Sequence, residues 1–355
     1  MNKKNLTESA IQIFFPVAIL AATTLTAIAA NNAYTLPLRA NDLEPGERYS
    51  TGVHTLGVQA EGHDIGAWRH KSDSNWTDLK TDGANKKDPK NWIVYGKPFY
   101  AMADGVIIGC WRNAPNNPVV GGRHPQYQKG FIGGGGNSLW ILHDDGTKAL
   151  YAHAIPKTIP SSLCPNNREL FKVKNGKGET DVKNGVRVKA GQLLGRIGNS
   201  GNSSGPHLHV HVQKDGKASV MKFDRGMTAD FSESKSSLNG PWTPLAGKAL
   251  PKARILVWPP HTIGNYTWKG TKSQDYQRLF DHMSNSGMMI NTVTCKNNGQ
   301  TYDSNWVPAK GKWVSHFGMT AATAAEKHAS YTMNGFTRTS SFTCGSRQVA
   351  VWRKL

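Results

Sequence analysis

The run Pro206-His207-Leu208-His209-Val210-His211-Val212 alternates imidazole and aliphatic side chains without a break. Alternation at period two places side chains on opposite faces of a strand, whereas a helix would scatter the same residues around its circumference. The segment is therefore predicted to be a strand with His207, His209 and His211 on one face and Leu208, Val210 and Val212 on the other. Three imidazoles do not suit an apolar interior, because each buried ring needs a polar partner. Neutral imidazole is a good zinc ligand and a proton-transfer group near neutral pH. The histidine face is thus a candidate reactive surface, with a plain surface histidine patch as the alternative.

Around this strand, residues 96–225 contain short β-rich runs bounded by turn residues: Phe99 to Met102, Val106 to Trp111, Leu139 to His143, Ala149 to His153 and Leu193 to Ile197. This spacing predicts a compact antiparallel β core. Asp104-Gly105 reads as a hairpin turn and His143 as a hairpin end. The stretches Gly133 to Asn137 and Gly198 to Gly205 read either as flexible loops or as rims of a cleft. Residues 31–95 are polar and read as loops and short strands; Trp68, Trp76 and Trp92 could form a substrate-facing wall or a small satellite core. Residues 226–260, punctuated by Pro241, Pro244, Pro251, Pro259 and Pro260, read as a linker.

Residues 261–355 carry an approximate repeat with a period of roughly 50 residues. In each copy a helical pattern (Tyr276, Leu279, Phe280 and Met283; then Thr320 to Met333) leads into a tight turn and a hairpin with a cysteine and a tryptophan: Cys295 and Trp306, then Cys344 and Trp352. The fold class expected is mainly β, an antiparallel core followed by a small α+β repeat domain.

The first thirty residues have Lys3 and Lys4, an apolar stretch from Ile11 to Ala22, and the small-residue end Ala27-Ile28-Ala29-Ala30. That layout predicts a cleaved signal peptide, with an uncleaved anchor as the alternative. No later segment reaches about 18 consecutive apolar residues, so no stable membrane span is expected after cleavage. Cys110, Cys164, Cys295 and Cys344 show no C-x-x-C spacing, which permits two disulfides in an oxidising compartment. We pair them as Cys110–Cys164 and Cys295–Cys344; the other two connectivities stay open. A net charge of +19, from 43 Lys+Arg against 24 Asp+Glu, attracts polyanions. For a secreted or periplasmic protein the expected partner is an anionic cell-wall polymer. No basic helix with interleaved aromatics suggests nucleic acid.

The segment Gly191-Gln192-Leu193-Leu194-Gly195-Arg196-Ile197-Gly198-Asn199-Ser200-Gly201-Asn202-Ser203-Ser204-Gly205-Pro206-His207-Leu208-His209 resembles the C-terminal signature of the lysostaphin-type murein endopeptidases. Two more pieces fall in that family's order: Tyr100-Ala101-Met102-Ala103-Asp104-Gly105-Val106 resembles its Ala-x-x-x-Gly-x-Val hairpin, and Tyr151-Ala152-His153 its Tyr-x-His strand. The resemblance implies a zinc metallopeptidase-like core in which His209 is a metal ligand while His153 and His207 flank the attacking water. It implies cleavage of a peptide bond in peptidoglycan. The tail resembles the bacterial repeat beside the catalytic domain of polyglycine hydrolases, which implies a binding or spacer module.

The chain departs from the family at the remaining ligands. These come from a His-x-x-x-Asp motif upstream of the Ala-x-x-x-Gly-x-Val hairpin, and the region contains none. The nearest candidate is His63-Asp64, with Ala60 where the histidine would stand. Three readings follow. Asp64 and His209 hold zinc with a third ligand from His63, His70 or His54; or His211 takes the role; or the site is incomplete and the protein binds the wall, or activates a hydrolase, without cutting.

Overall fold

In a computed structural model of the chain, residues 33–44, 46–72, 75–238, 240–259, 266–285 and 287–354 are described. The predicted signal peptide, residues 1–30, lies outside them. Two units divide between Pro259 and Pro260, and each is taken by itself. No helix among the described residues is long and apolar enough to cross a membrane.

The first unit consists, in chain order, of β1 (Glu47–Val53), β2 (His63–Ser72), β3 (Asn75–Thr77), β4 (Pro98–Tyr100), β5 (Gly105–Trp111), the one-turn α1 (Pro125–Gln128), β6 (Asn137–His143), β7 (Lys148–Ala154), β8 (Arg187–Val188), β9 (Leu193–Arg196), β10 (Leu208–Lys214), β11 (Lys217–Ser219), β12 (Lys222–Phe223), β13 (Met227–Asp230), β14 (Thr243–Pro244), β15 (Lys248–Ala249) and β16 (Ile255–Trp258). The main sheet runs β14-β13-β16-β1-β2-β10-β7-β6-β5-β8, with β3 on β2 and β11 on β10. The fold is mainly β and antiparallel, as expected.

The histidine-bearing strand β10 sits between β2 and β7. Leu208, Val210 and Val212 are fully buried in one apolar cluster with Ile65, Tyr151 and Ile141. Each such side chain contributes roughly 1.5–3 kcal/mol on burial, which anchors the strand while its other face stays polar. Phe99 of β4 and Leu194 of β9 close the same cluster as a separate two-stranded ribbon. The Met102 amide donates to the buried Tyr151 hydroxyl at 2.8 Å, tying the end of β4 to β7.

Residues 226–260 are not a linker. Ile255-Leu256-Val257-Trp258 is buried throughout and pairs with β1 through Tyr49↔Val257 and Ser50↔Leu256, while β13 adds the next strand. Pro241, Pro251 and Pro259 flank these strands and Pro244 sits in the short outer strand β14, where no central ladder bond is required of it. Residues 31–95 are likewise more regular than their composition suggests, since β1 and β2 pair over seven consecutive residues inside the main sheet. Their alternation is masked by buried polar residues: Arg48 lies over the Trp258 ring at 3.8 Å, and Ser50, Thr51 and His63 are also enclosed. Trp68 and Trp76 pack with Phe231 and Leu256 in a satellite core.

The second unit holds two copies of one topology. The first is β17 (Tyr266–Lys272), α2 (Ser273–Asn285), β18 (Met288–Lys296) and β19 (Thr301–Pro308), in sheet order β17-β19-β18. The second is β20 (Lys312–Met319), α3 (Ala321–Met333), β21 (Thr337–Cys344) and β22 (Arg347–Lys354), in order β20-β22-β21. Both first strands bulge at a glycine with φ of 66°, Gly270 and Gly318. Trp313 and Phe317 of the second copy reach Phe280 and Tyr276 of the first, at 5.4 and 4.9 Å between ring centroids. The Cys295–Cys344 disulfide joins the copies, and Cys110–Cys164 lies in the first unit.

Candidate metal and active site

Register decides which side chains meet. Across the β2–β10 ladder Asp64 stands directly opposite His209, while His63 stands opposite Val210 and Ile65 opposite Leu208. Direct partners in an antiparallel pair share a face. Asp64 and His209 therefore lie on the imidazole face, and His63 is sent to the apolar one. There His63 is buried with Nδ1 3.0 Å from the Thr51 hydroxyl, and burial lowers its pKa to about 4. The structure does not bring His63 to the other candidates.

The same parity selects His54. In the β1–β2 hairpin Gly52 pairs with Asp64 and Val53 with His63. One residue further on, the His54 amide donates to the Gly62 carbonyl at 2.8 Å. His54 thus falls on the face of Asp64, diagonally across the hairpin. Its Nε2 lies 3.0 Å from Asp64 Oδ1 yet makes no hydrogen bond, and Asp64 Oδ1 is also 2.8 Å from His209 Nδ1. Donor atoms of His54, Asp64 and His209 all lie within 4.8 Å of one another. His70, the other histidine of β2 considered, packs edge-on against Trp76 instead.

Two nitrogens and one carboxylate oxygen converging from three side chains fit a zinc site with a position left open. His54 Nε2 forms no hydrogen bond although it stands 3.0 Å from Asp64 Oδ1, which leaves this nitrogen's lone pair available to an ion held between the two side chains.

His207 and His153 complete the face. His207 Nδ1 donates to the Gly205 carbonyl at 2.8 Å, turning Nε2 to within 3.3 Å of Asp64 Oδ1. His153 Nδ1 donates to the Ser200 carbonyl at 2.8 Å, and its ring centroid is 4.7 Å from that of His207. Strict alternation along β7 would send His153 to the core beside Tyr151. A left-handed backbone at His153, φ 71°, breaks the alternation and swings the ring to the site. Such strain is tolerated where the surroundings over-determine it; here the His153 amide also donates to Gly135 at 2.9 Å.

The charges are ordered. Burial opposes ionisation of Asp64, but hydrogen bonds from His207 and His209 win, holding the carboxyl well below its usual range. Burial likewise works against a charged His207, but the hydrogen bond and charge of Asp64 outweigh it and raise its pKa. His153 is pushed well below the ordinary imidazole value, first by burial and then by the neighbouring His207 and His209. His211 does not join the donor group: its Nδ1 is 2.8 Å from His209 Nε2, the far side of that ring, and burial lowers its pKa to about 4.

The two Gly/Ser-rich stretches interlock beside these rings. The Asn137 amide donates to Ser200 Oγ at 2.9 Å and the Asn202 amide to the Gly134 carbonyl at 2.8 Å. A Cβ on Gly136 would lie within 2.4–2.7 Å of Ser200 and Gly201 atoms, so only glycine allows this approach. A cleft of about 840 Å³ opens there, lined by Gly133–Gly136, Trp140 and Leu150 and by the rings of Trp111 and Phe171, which stack at 4.4 Å. Trp140 touches His211 edge-on at 5.4 Å, which places the cleft next to the imidazole face. Trp92, unlike Trp68 and Trp76, stands close to Gly205, just before His207.

Residues 173–220, which hold His207, His209 and His211, match the model of peptidase family M23. The DD-carboxypeptidase/endopeptidase Mpg of Neisseria meningitidis serogroup B is 29% identical over 122 residues, 34% of this chain and 18% of the relative. The glycyl-glycine endopeptidase ALE-1 of Staphylococcus capitis is 27% identical over 133 residues, 37% of this chain and 25% of the relative. The chain thus spans a quarter or less of these relatives' length. Among solved structures, the catalytic domain of lysostaphin from Staphylococcus simulans aligns at 21% identity over 49% of this chain and 82% of that one, with a TM-score of 0.23.

Proposed function

We propose that the protein is an exported zinc metalloendopeptidase that cuts peptide bonds in peptidoglycan, with His54, Asp64 and His209 holding the metal and His153 and His207 moving protons. The observation that carries this reading is the convergence of the three donor atoms on the face that also receives His153 and His207. The incomplete-site alternative rested on the missing His-x-x-x-Asp motif, and His54 supplies a histidine on the correct face by another route.

Zinc bound there supplies Lewis-acid polarisation of the scissile carbonyl and eases ionisation of the attacking water. The remaining work belongs to the protein. Because Nδ1 of His153 and of His207 donates to a backbone carbonyl, each ring is held with Nε2 facing the reaction. His153, neutral by virtue of its lowered pKa, accepts the water proton at Nε2. His207, whose Nε2 is turned to the site 3.3 Å from Asp64 Oδ1, donates from that nitrogen to the developing oxyanion and then to the leaving amine.

The cleft along Gly133–Gly136 is the place for an extended peptide, since a glycine-lined wall admits a backbone closely. The +19 charge favours an anionic wall polymer as the surface on which the protein works. The paired repeat is then a binding or spacer module. The test is to load the purified protein with zinc, incubate it with peptidoglycan and count new amino termini. Zinc-dependent release supports the proposal; a chain that retains about one equivalent of zinc and releases none sinks it.

A further inference from the structure

His211 is buried, lies two residues beyond His209 on the same face, and touches the His209 ring on the side away from Asp64. Its own second nitrogen is 2.9 Å from the Gln213 side-chain amide. Asp64, His209, His211 and Gln213 thus form an unbroken hydrogen-bonded chain along β2 and β10, with separations of 2.8, 2.8 and 2.9 Å. The position of His211 is built in: a Cβ on Gly62 would lie 2.7 Å from the His211 Cβ, so the hairpin that carries His54 closes against this ring only because residue 62 is glycine.

Every internal member of the chain can be donor or acceptor. A neutral imidazole has one of each, and a primary amide can present either its oxygen or its nitrogen by a half-turn. We infer that His211 and Gln213 form a reversible hydrogen-bond relay that holds the His209 ring in one orientation whichever of its nitrogens carries the proton. This rests on the zinc-peptidase reading above.

Without metal, the Gln213 amide nitrogen donates to His211 Nε2, His211 Nδ1–H donates to His209 Nε2, and His209 Nδ1–H donates to Asp64. A ligand nitrogen must be unprotonated, so occupation of the site requires the His209 proton on Nε2. That proton then faces His211 Nδ1, which accepts it as a hydrogen bond, while His211 carries its own proton on Nε2 and donates to the amide oxygen. Each imidazole keeps one proton and stays neutral; the protons change nitrogen through solvent and the amide turns over. An aspartate or lysine at 211 could serve only one of the two states. His211 is therefore a positioning residue acting through His209. Partners of this kind are worth roughly 10- to 100-fold in metal affinity.

The test uses the full chain and zinc itself. Zinc affinity is measured by chelator competition for the native protein, His211→Leu, His211→Gln and Gln213→Leu, with thermal unfolding of each metal-free form to show that it is folded. His211→Leu is expected to weaken zinc by roughly 10- to 100-fold, and His211→Gln, which retains a donor and an acceptor, to recover most of that loss. Imidazole nitrogen NMR should show the protonated nitrogen of both His209 and His211 changing from Nδ1 to Nε2 on zinc loading. Equal zinc affinity in native protein and in folded His211→Leu or Gln213→Leu overturns the inference, as does an unchanged His211 tautomer. Failure of the native protein to bind zinc overturns this and the function proposed above together, whereas native binding that is indifferent to residue 211 overturns the relay alone.

Discussion

Asp64 and His209 face each other across the β2–β10 ladder with carboxylate and imidazole 2.8 Å apart, although 145 positions separate them in the chain. The site is organised about this pair: His54 joins it from across the hairpin and His207 from the residue just before β10. Parity along β1, β2 and β10 admits these side chains and rejects His63.

Replacing His54 and His63 separates the two candidate ligand sets. His54→Ala should lose stoichiometric zinc and all wall-cleaving activity, with the metal-free unfolding temperature nearly unchanged. His63→Ala should keep zinc but lose about 1–3 kcal/mol of stability, because a buried ring and its hydrogen bond to the Thr51 hydroxyl are removed. Zinc analysis and denaturant melts on both variants check this, and a reversed pattern would return the ligand role to His63.

For His153, chemistry and backbone can be tested apart. Glycine accepts φ of 71° freely, so His153→Gly should fold and bind zinc while turnover drops roughly 10²- to 10⁴-fold, the range for loss of a general base. His153→Ala should lose turnover to the same extent but, keeping a Cβ in the left-handed conformation, be about 1–3 kcal/mol less stable than the glycine variant. Steady-state kinetics on a soluble wall peptide, with melting curves, distinguish the two effects.

At Gly136 even one methyl group is too much. Gly136→Ala should force the 133–137 loop away from Ser200, whose carbonyl fixes the His153 tautomer. The expected result is reduced turnover with zinc content intact. Loss of zinc as well would mean that the two loops also support the ligands.

The second repeat copy should be sensitive to acid. His316 is 1% exposed with Nε2 2.8 Å from the Tyr331 hydroxyl, and burial lowers its pKa to about 4, against 6.5 when unfolded. A depressed value means the unfolded chain takes up the proton first. The stabilising contribution is therefore complete above pH 6.5 and is lost as pH falls through 4. Amide exchange should quicken in residues 312–354 over this window, and His316→Phe should abolish the pH dependence.

The Cys110–Cys164 bridge spans a sequence separation of 54 and restricts the unfolded chain. Replacing both cysteines by serine should cost roughly 2–5 kcal/mol. Equilibrium unfolding under non-reducing conditions measures the difference, and an unchanged midpoint would assign the bridge no stabilising role.

How legible these features were depended on their range. β10 could be read directly because every second residue is aliphatic and fully buried, so local pattern and tertiary demand agree. His54 could not be read by spacing, since its place beside Asp64 follows from cross-strand register around the 55–62 turn, not from an interval along one strand. The facing of His153 depends on one backbone angle that residue type does not encode. β16 was hidden because Pro251, Pro259 and Pro260 flank a run of only four apolar residues, too short to outweigh the surrounding turn signals. A signal for His54 did exist, in the parity of a hairpin closing between Val53 and His63.

The separation of Asp64 from His209 also sets the order of events during folding. Neither residue has its partner until β2 and β10 pair, which means closing a long loop, at an entropic cost that grows only slowly with its length. Until that closure Asp64 and His209 cannot converge, however much of β5 to β7 has formed. Zinc, binding only after closure, would act on the final assembly and slow its reopening, so the ion should report on completion of the sheet and contribute nothing to its nucleation.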